Sequence, residues 1–186
     1  MSDRSIKGSV LKARLAFVEN RLGKVGIARI LGRLSHADRE ILEGILLPAG
    51  WYPFETSERL TTEIAKELGD GDEVYRELGR TSAEMNLSAS QKVYVRERDP
   101  HGLLKAAASI YRLYYSSGER TYERQGDSKA LLRTLGSETF SREDCLTIVG
   151  WYERAIAMCG GKRPRVHETK CKAKGDGCCE YVCEWD

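Results

Sequence analysis

All six cysteines of this 186-residue chain fall between Cys145 and Asp186, and that clustering narrows the possible folds more than any other feature. Arg165-Val166-His167-Glu168-Thr169 and Glu180-Tyr181-Val182-Cys183-Glu184-Trp185 are rich in β-branched and aromatic residues. They flank Ala173-Lys174-Gly175-Asp176-Gly177, a run of turn formers. The pattern predicts a β-hairpin centred near Gly175, with Cys171 opposite Cys179 and Glu168 a short step away. Cys145 lies on a predicted helix upstream and has to arrive by tertiary packing. Cys145, Glu168, Cys171 and Cys179 would then form a sulfur-rich set of four ligands suited to a structural zinc ion.

Two other readings use the same residues. Free cysteine is among the most buried residue types and often serves as a small hydrophobe, and closely spaced thiols can also act as a redox pair. Adjacent residues in a strand point to opposite faces, so only one of Cys178 and Cys179 can join the cluster, and which one is open. Cys159 and Cys183 read as core or surface thiols. The opening Met1-Ser2-Asp3-Arg4-Ser5-Ile6-Lys7 has no apolar run of the signal-peptide kind, so a cytoplasmic chain with reduced thiols is expected.

Cys145, Gly150-Trp151-Tyr152, Arg163-Pro164, Val166, Glu168, Cys171, Gly175-Asp176 and Cys179 together resemble the C-terminal signature of the vinyl-4-reductase (hydrocarbon-binding) domain. They are closest to its form in the sensor modules of bacterial regulators of phenols and toluene-like aromatics. Lys7-Gly8-Ser9 and Trp51-Tyr52-Pro53-Phe54 resemble, more loosely, short bacterial proteins built on the same domain. The resemblance implies zinc held by Cys145, Glu168, Cys171 and Cys179, and a homodimer. It also implies kinship with the Bet-type subunits of the TRAPP tethering complex and with heme-based nitric-oxide sensors.

From Lys7 to Leu34 apolar residues recur at helical spacing, with Gly23 as a break between two helices. Lys7, Lys12, Arg14, Arg21, Lys24, Arg29 and Arg33 make this stretch locally basic. That reads as a solvated face, or as a surface for an anionic partner. Ser35 caps a short helix, Thr56 to Leu68 forms another that Gly69 stops, and a longer one runs to about Val95. In this longer helix Thr81, Ser82 and Ser88 interrupt an apolar face, which suits either tight helix contact or a cavity wall. Asp99-Pro100-His101-Gly102 reads as a breaker before a helix from Leu103 to Tyr115. A hairpin over Glu119–Leu135 and a helix begun by Ser141, with Cys145, Val149, Tyr152, Ile156 and Cys159 on one stripe, complete the pattern. The expectation is one α+β domain over residues 1–186. Residues 1–115 are mainly helical, and 116–186 supply two hairpins and an intervening helix that make a four-stranded antiparallel sheet, in a TRAPP Bet-like or nitric-oxide-sensor-like fold.

A net charge of +2 gives no whole-chain attraction to nucleic acid, and no run approaches the roughly twenty apolar residues of a membrane helix. There is no nucleophile elbow, phosphate loop or His-Glu-x-x-His motif. The expected function is therefore non-enzymatic sensing of a small hydrophobic or aromatic ligand. Trp51, Tyr52, Phe54, Met85, Tyr111, Tyr114, Tyr115 and Trp151 are candidate contacts, and output would pass to a separate signalling protein. A dimeric adaptor docking a partner such as a small GTPase is the alternative, and a thiol redox switch the third.

Overall fold

Apolar residues at helical spacing organise the first part of the chain, and the computed structural model, which describes residues 4–89 and 91–186, places the helices there. Helix α1 (Gly8–Gly32) is interrupted at Gly23, which adopts φ 65° and ψ −171°. This is the expected break, at a residue that tolerates positive φ. Ser35 caps α2 (His36–Glu43) by accepting from the Asp38 N–H at 3.2 Å. Buried Asp38 in turn accepts from Thr56 Oγ1 at 2.8 Å and from Arg59 Nε and Nη2, both at 2.7 Å, which ties α2 to α3 (Phe54–Leu68). The Arg59 hydrogen bonds hold the Asp38 carboxyl well below the usual carboxylate range. Gly69 ends α3 in the left-handed conformation, as expected.

Three expectations need correction. The helix α4 (Asp72–Leu87) stops well short of Val95. There the Asn86 carbonyl accepts from the Gln91 N–H at 3.0 Å and the chain turns into a 3-10 turn at Lys92–Tyr94. The expected helix from Leu103 to Tyr115 is two short ones, α5 (Pro100–Lys105) and α6 (Ala107–Arg112). Asp99, read as part of a breaker, is the cap of α5, accepting from the Gly102 N–H at 2.7 Å with Pro100 in the first turn. Residues Trp51–Pro53, expected as a connection, form strand β2, paired antiparallel with β1 (Ser5–Lys7). Strands of three residues are too short to show alternation.

The two predicted hairpins are present as β3 (Glu119–Gly126) with β4 (Lys129–Leu135), and β5 (Arg165–Lys170) with β6 (Cys179–Glu184). Pairing of β4 with β6 joins them into one antiparallel sheet of order β3-β4-β6-β5. Helix α7 (Arg142–Met158) lies between this sheet and α4. Its approach to α4 depends on two glycines. A Cβ at Gly79 would lie 1.9 Å from the Thr147 carbonyl oxygen, and one at Gly150 1.9 Å from that of Arg76. One buried cluster gathers α7, the sheet and α5–α6, and a second gathers α1–α4.

Candidate functional site

Ser141 fixes the start of α7 by accepting from the Asp144 N–H at 3.1 Å, and the next residue, Cys145, is buried toward the sheet. On an unbroken strand, side chains three residues apart face opposite sides. In β5 the register steps from Glu168 opposite Tyr181 to Lys170 opposite Glu180, so Thr169 is an extra residue, a β-bulge. The bulge returns Cys171 to the side of Glu168. The Cys145 and Cys179 sulfurs are 3.6 Å apart, those of Cys171 and Cys145 3.8 Å. One ligand atom from each of Cys145, Glu168, Cys171 and Cys179 lies within 4.8 Å of the other three. Cys178 stays outside this group and is partly exposed, so Cys179 is the fourth member.

The cluster is electrostatically uneven. The hydrogen bond shared with Cys145 and the one donated by the Lys172 N–H favour the thiolate at Cys179 and lower its thiol, although burial opposes this. Cys145, the donor of the pair, is pushed up by that hydrogen bond and by burial. Glu168 Oε2 lies 3.7 Å from Lys174 Nζ, whereas its buried Oε1 has no hydrogen-bond partner among the described residues. Three thiols and a carboxylate so arranged are chemically able to hold a metal ion.

A second feature lies where the helices meet the sheet. A cavity of about 40 Å³ is bounded by Val10 and Arg14 of α1, Ser82 of α4, Ile110 and Tyr111 of α6, and Tyr114 and Tyr115 just beyond it. Arg120 of β3 and Thr147, Ile148, Trp151 and Tyr152 of α7 close it. Buried Arg120 donates to Thr134 Oγ1 at 2.7 and 3.0 Å and to the Tyr152 hydroxyl at 2.8 Å. Its guanidinium also lies 4.7 Å from the Tyr111 ring centroid. Arg14 donates from Nε to Thr61 Oγ1 at 2.6 Å and faces Asp144 at 3.5 Å, while its Nη1 is buried without a hydrogen-bond partner among the described residues. Burial raises the hydroxyls of Tyr111, Tyr114, Tyr115 and Tyr152, so all four are neutral phenols at ordinary pH.

Of the candidate ligand contacts, Tyr111, Tyr114, Tyr115 and Trp151 meet at this cavity. The others do not. Trp51 is 46% exposed with Lys7 Nζ over its ring at 3.7 Å, and Met85 is 42% exposed on the outer face of α4. Tyr52 packs in the α1–α4 cluster, with its hydroxyl accepting from the Leu47 N–H, and Phe54 is fully buried beside Arg14 and Asp144. Local pattern does not single out Arg14 and Arg120. Arg14 reads as part of the basic stretch of its helix, yet it stands four residues from both Val10 and Val18, on the buried stripe, and that spacing is the available signal.

No protein-family model matches the chain, and no curated protein matches it either. Solved structures do. An H-NOX protein from S. oneidensis in the Fe(II)NO ligation state aligns over 97% of this chain and 99% of its own, at 15% identity and TM-score 0.76. Fe(II) unliganded H-NOX from K. algicida aligns over 97% and 96%, at 12% identity and TM-score 0.72. A structure addressing heme distortion in the H-NOX family aligns over 97% and 95%, at 11% identity and TM-score 0.73. These likenesses bear out the expected α+β, nitric-oxide-sensor-like fold and give no particular support to the vinyl-4-reductase assignment. They overturn the expectation of structural zinc as the cofactor, since the proteins sharing this fold are heme proteins and a cysteine cluster alone is a weak sign of a metal.

Heme does not fit the residues found here. Heme iron is held by His, Cys, Met or ionised Tyr, and the cavity wall carries no His, Cys or Met. His101 is engaged elsewhere, by the Asp127 carbonyl and the Tyr122 hydroxyl, both at 2.9 Å. The four tyrosines are neutral, with hydroxyls taken up by Ser137, Gln91, Asp144 and Arg120.

Proposed function

We propose that this chain is a non-catalytic module that binds a small organic molecule in the cavity between α1, α4, α6, α7 and β3. The observation that carries the reading is the cavity itself. Protein interiors leave few voids larger than a water, and this one is walled by four tyrosines and a tryptophan that could have filled it. At about 40 Å³ it has room for more than a water, yet it is well below the roughly 300–1,000 Å³ of common ligand pockets. The ligand is accordingly compact, or places only one end here. Binding acts by favouring one of two packings around the cavity, and a second copy of the chain or a signalling partner reads the change.

Native mass spectrometry of gently purified protein, with Trp151 fluorescence titrations against a fragment library, tests the ligand reading. The expected result is a non-covalent mass lost on denaturation, or a saturable fluorescence change, and its loss in Ser82→Leu, which fills the cavity. A ligand-free protein with no fragment response overturns it.

A further inference from the structure

The cavity carries an unbalanced charge. Arg14 and Arg120, 3% and 5% exposed, both line it, and Asp144, 4% exposed, is the only carboxylate within ion-pairing distance of either among the described residues. It is in contact with Arg14 only, and loosely, since neither Asp144 Oδ1 nor Arg14 Nη1 has a hydrogen-bond partner among the described residues. The groups in contact with Arg120 among the described residues are neutral: the hydroxyls of Thr134 and Tyr152 and the faces of Tyr111, Tyr152 and Tyr181. Arginine does not shed its proton in proteins. Of the two buried guanidiniums, Arg120 therefore has no carboxylate in contact among the described residues, an arrangement that favours an anionic guest over an empty site.

We infer that the ligand is a monocarboxylate, its head group seated at Arg14 and Arg120 and its organic body against Tyr114 and Trp151. A single negative charge matches the one guanidinium without a carboxylate in contact, whereas a dianionic phosphate would bring a second charge into a buried site. A planar carboxylate suits a guanidinium fork. The apolar wall opposite selects an organic body over an inorganic anion. The inference rests on the ligand-binding reading above.

The probes are acetate and propionate, each against its uncharged isostere, acetamide or propionamide. They are titrated into the full chain and followed by the Arg Nε–H resonances and by tryptophan fluorescence. The acid should bind at least tenfold more tightly than its amide. In Arg120→Met that preference should shrink to within about twofold with amide affinity retained, while Arg120→Lys should keep it. Amides that bind as well as acids, in wild-type protein where no question of misfolding arises, overturn the charge inference and leave the ligand-binding reading intact. A preference that survives both Arg14→Met and Arg120→Met also overturns it. If neither acids nor amides bind, the monocarboxylate inference falls, and the ligand-binding reading is decided separately by the native mass spectrum and the fragment titration.

Discussion

Replacing Gly79 by alanine tests how α4 and α7 hold the cavity open. The added Cβ would stand 1.9 Å from the Thr147 carbonyl oxygen and 2.7 Å from the Trp151 nitrogen. An ordinary contact is about 3.5 Å, so the two helices must part by roughly 1.5 Å. Both obstructing atoms are backbone and cannot rotate away. Overpacking of this kind costs about 1–3 kcal/mol or more, against which alanine recovers about 1 kcal/mol of helix propensity. A backbone collision belongs at the upper end of the first range, so the expected net loss is about 2 kcal/mol. Gly32→Ala, where a Cβ meets nothing within 4 Å, is the control and should be neutral or slightly stabilising. Urea unfolding followed by circular dichroism reads both, with unchanged m confirming that midpoints report stability. A Gly79→Ala protein that unfolds at or above the wild-type midpoint refutes the reasoning.

Further outcomes follow from the same geometry. Asp38→Asn should cost about 1–2 kcal/mol at neutral pH, the range for a charge-assisted bond discounted because Arg59 is half exposed. Because Asp38 titrates below the ordinary carboxylate range when folded, its contribution is complete at neutral pH and is lost as the pH falls below that range. The gap between wild type and Asp38→Asn should therefore close in acid, and a gap constant from pH 7 to 2 counts against the assignment. Deleting Thr169 removes the bulge and turns Glu168 and Cys171 to opposite faces; reactivity of Cys171 toward a thiol reagent in the folded protein should rise, and an unchanged rate would contradict the register. Titration with Co²⁺ should give thiolate charge-transfer absorption in wild type and in Cys178→Ser, weakened at least tenfold in Cys145→Ser and Cys171→Ser. It should fade as the pH is lowered, because the sulfurs must lose their protons; equal spectra in all four proteins would exclude the cluster.

Much of this arrangement was written in local patterns. Cys145, Val149, Tyr152, Ile156 and Cys159 fall on one buried stripe because their spacing matches the helical period. Gly23, Ser35 and Gly69 marked a break, a cap and a stop through conformational preferences that need no tertiary context. The small groups on α4 left close contact or cavity as alternatives, and the helix does both, with Gly79 against α7 and Ser82 on the cavity wall. What local pattern could not reveal was long-range. The β1–β2 ribbon joins segments far apart in sequence, and the Thr169 bulge is a property of two strands together. Arg120 sits among polar and charged residues of a predicted hairpin strand, and its burial comes from Tyr111, Tyr152 and Tyr181, which surround it from α6, α7 and β6.

The sheet order has a consequence for synthesis. Strand β6 lies between β4 and β5, so neither hairpin can join the other until residues 179–184 have left the ribosome. Cys145 and Cys179 are separated by 34 positions, which at 5–20 residues per second is roughly 2–7 s of translation. Throughout that interval Cys145 lacks its Cys179 neighbour. The thiol cluster is therefore assembled only after β6 has been made and has paired between β4 and β5.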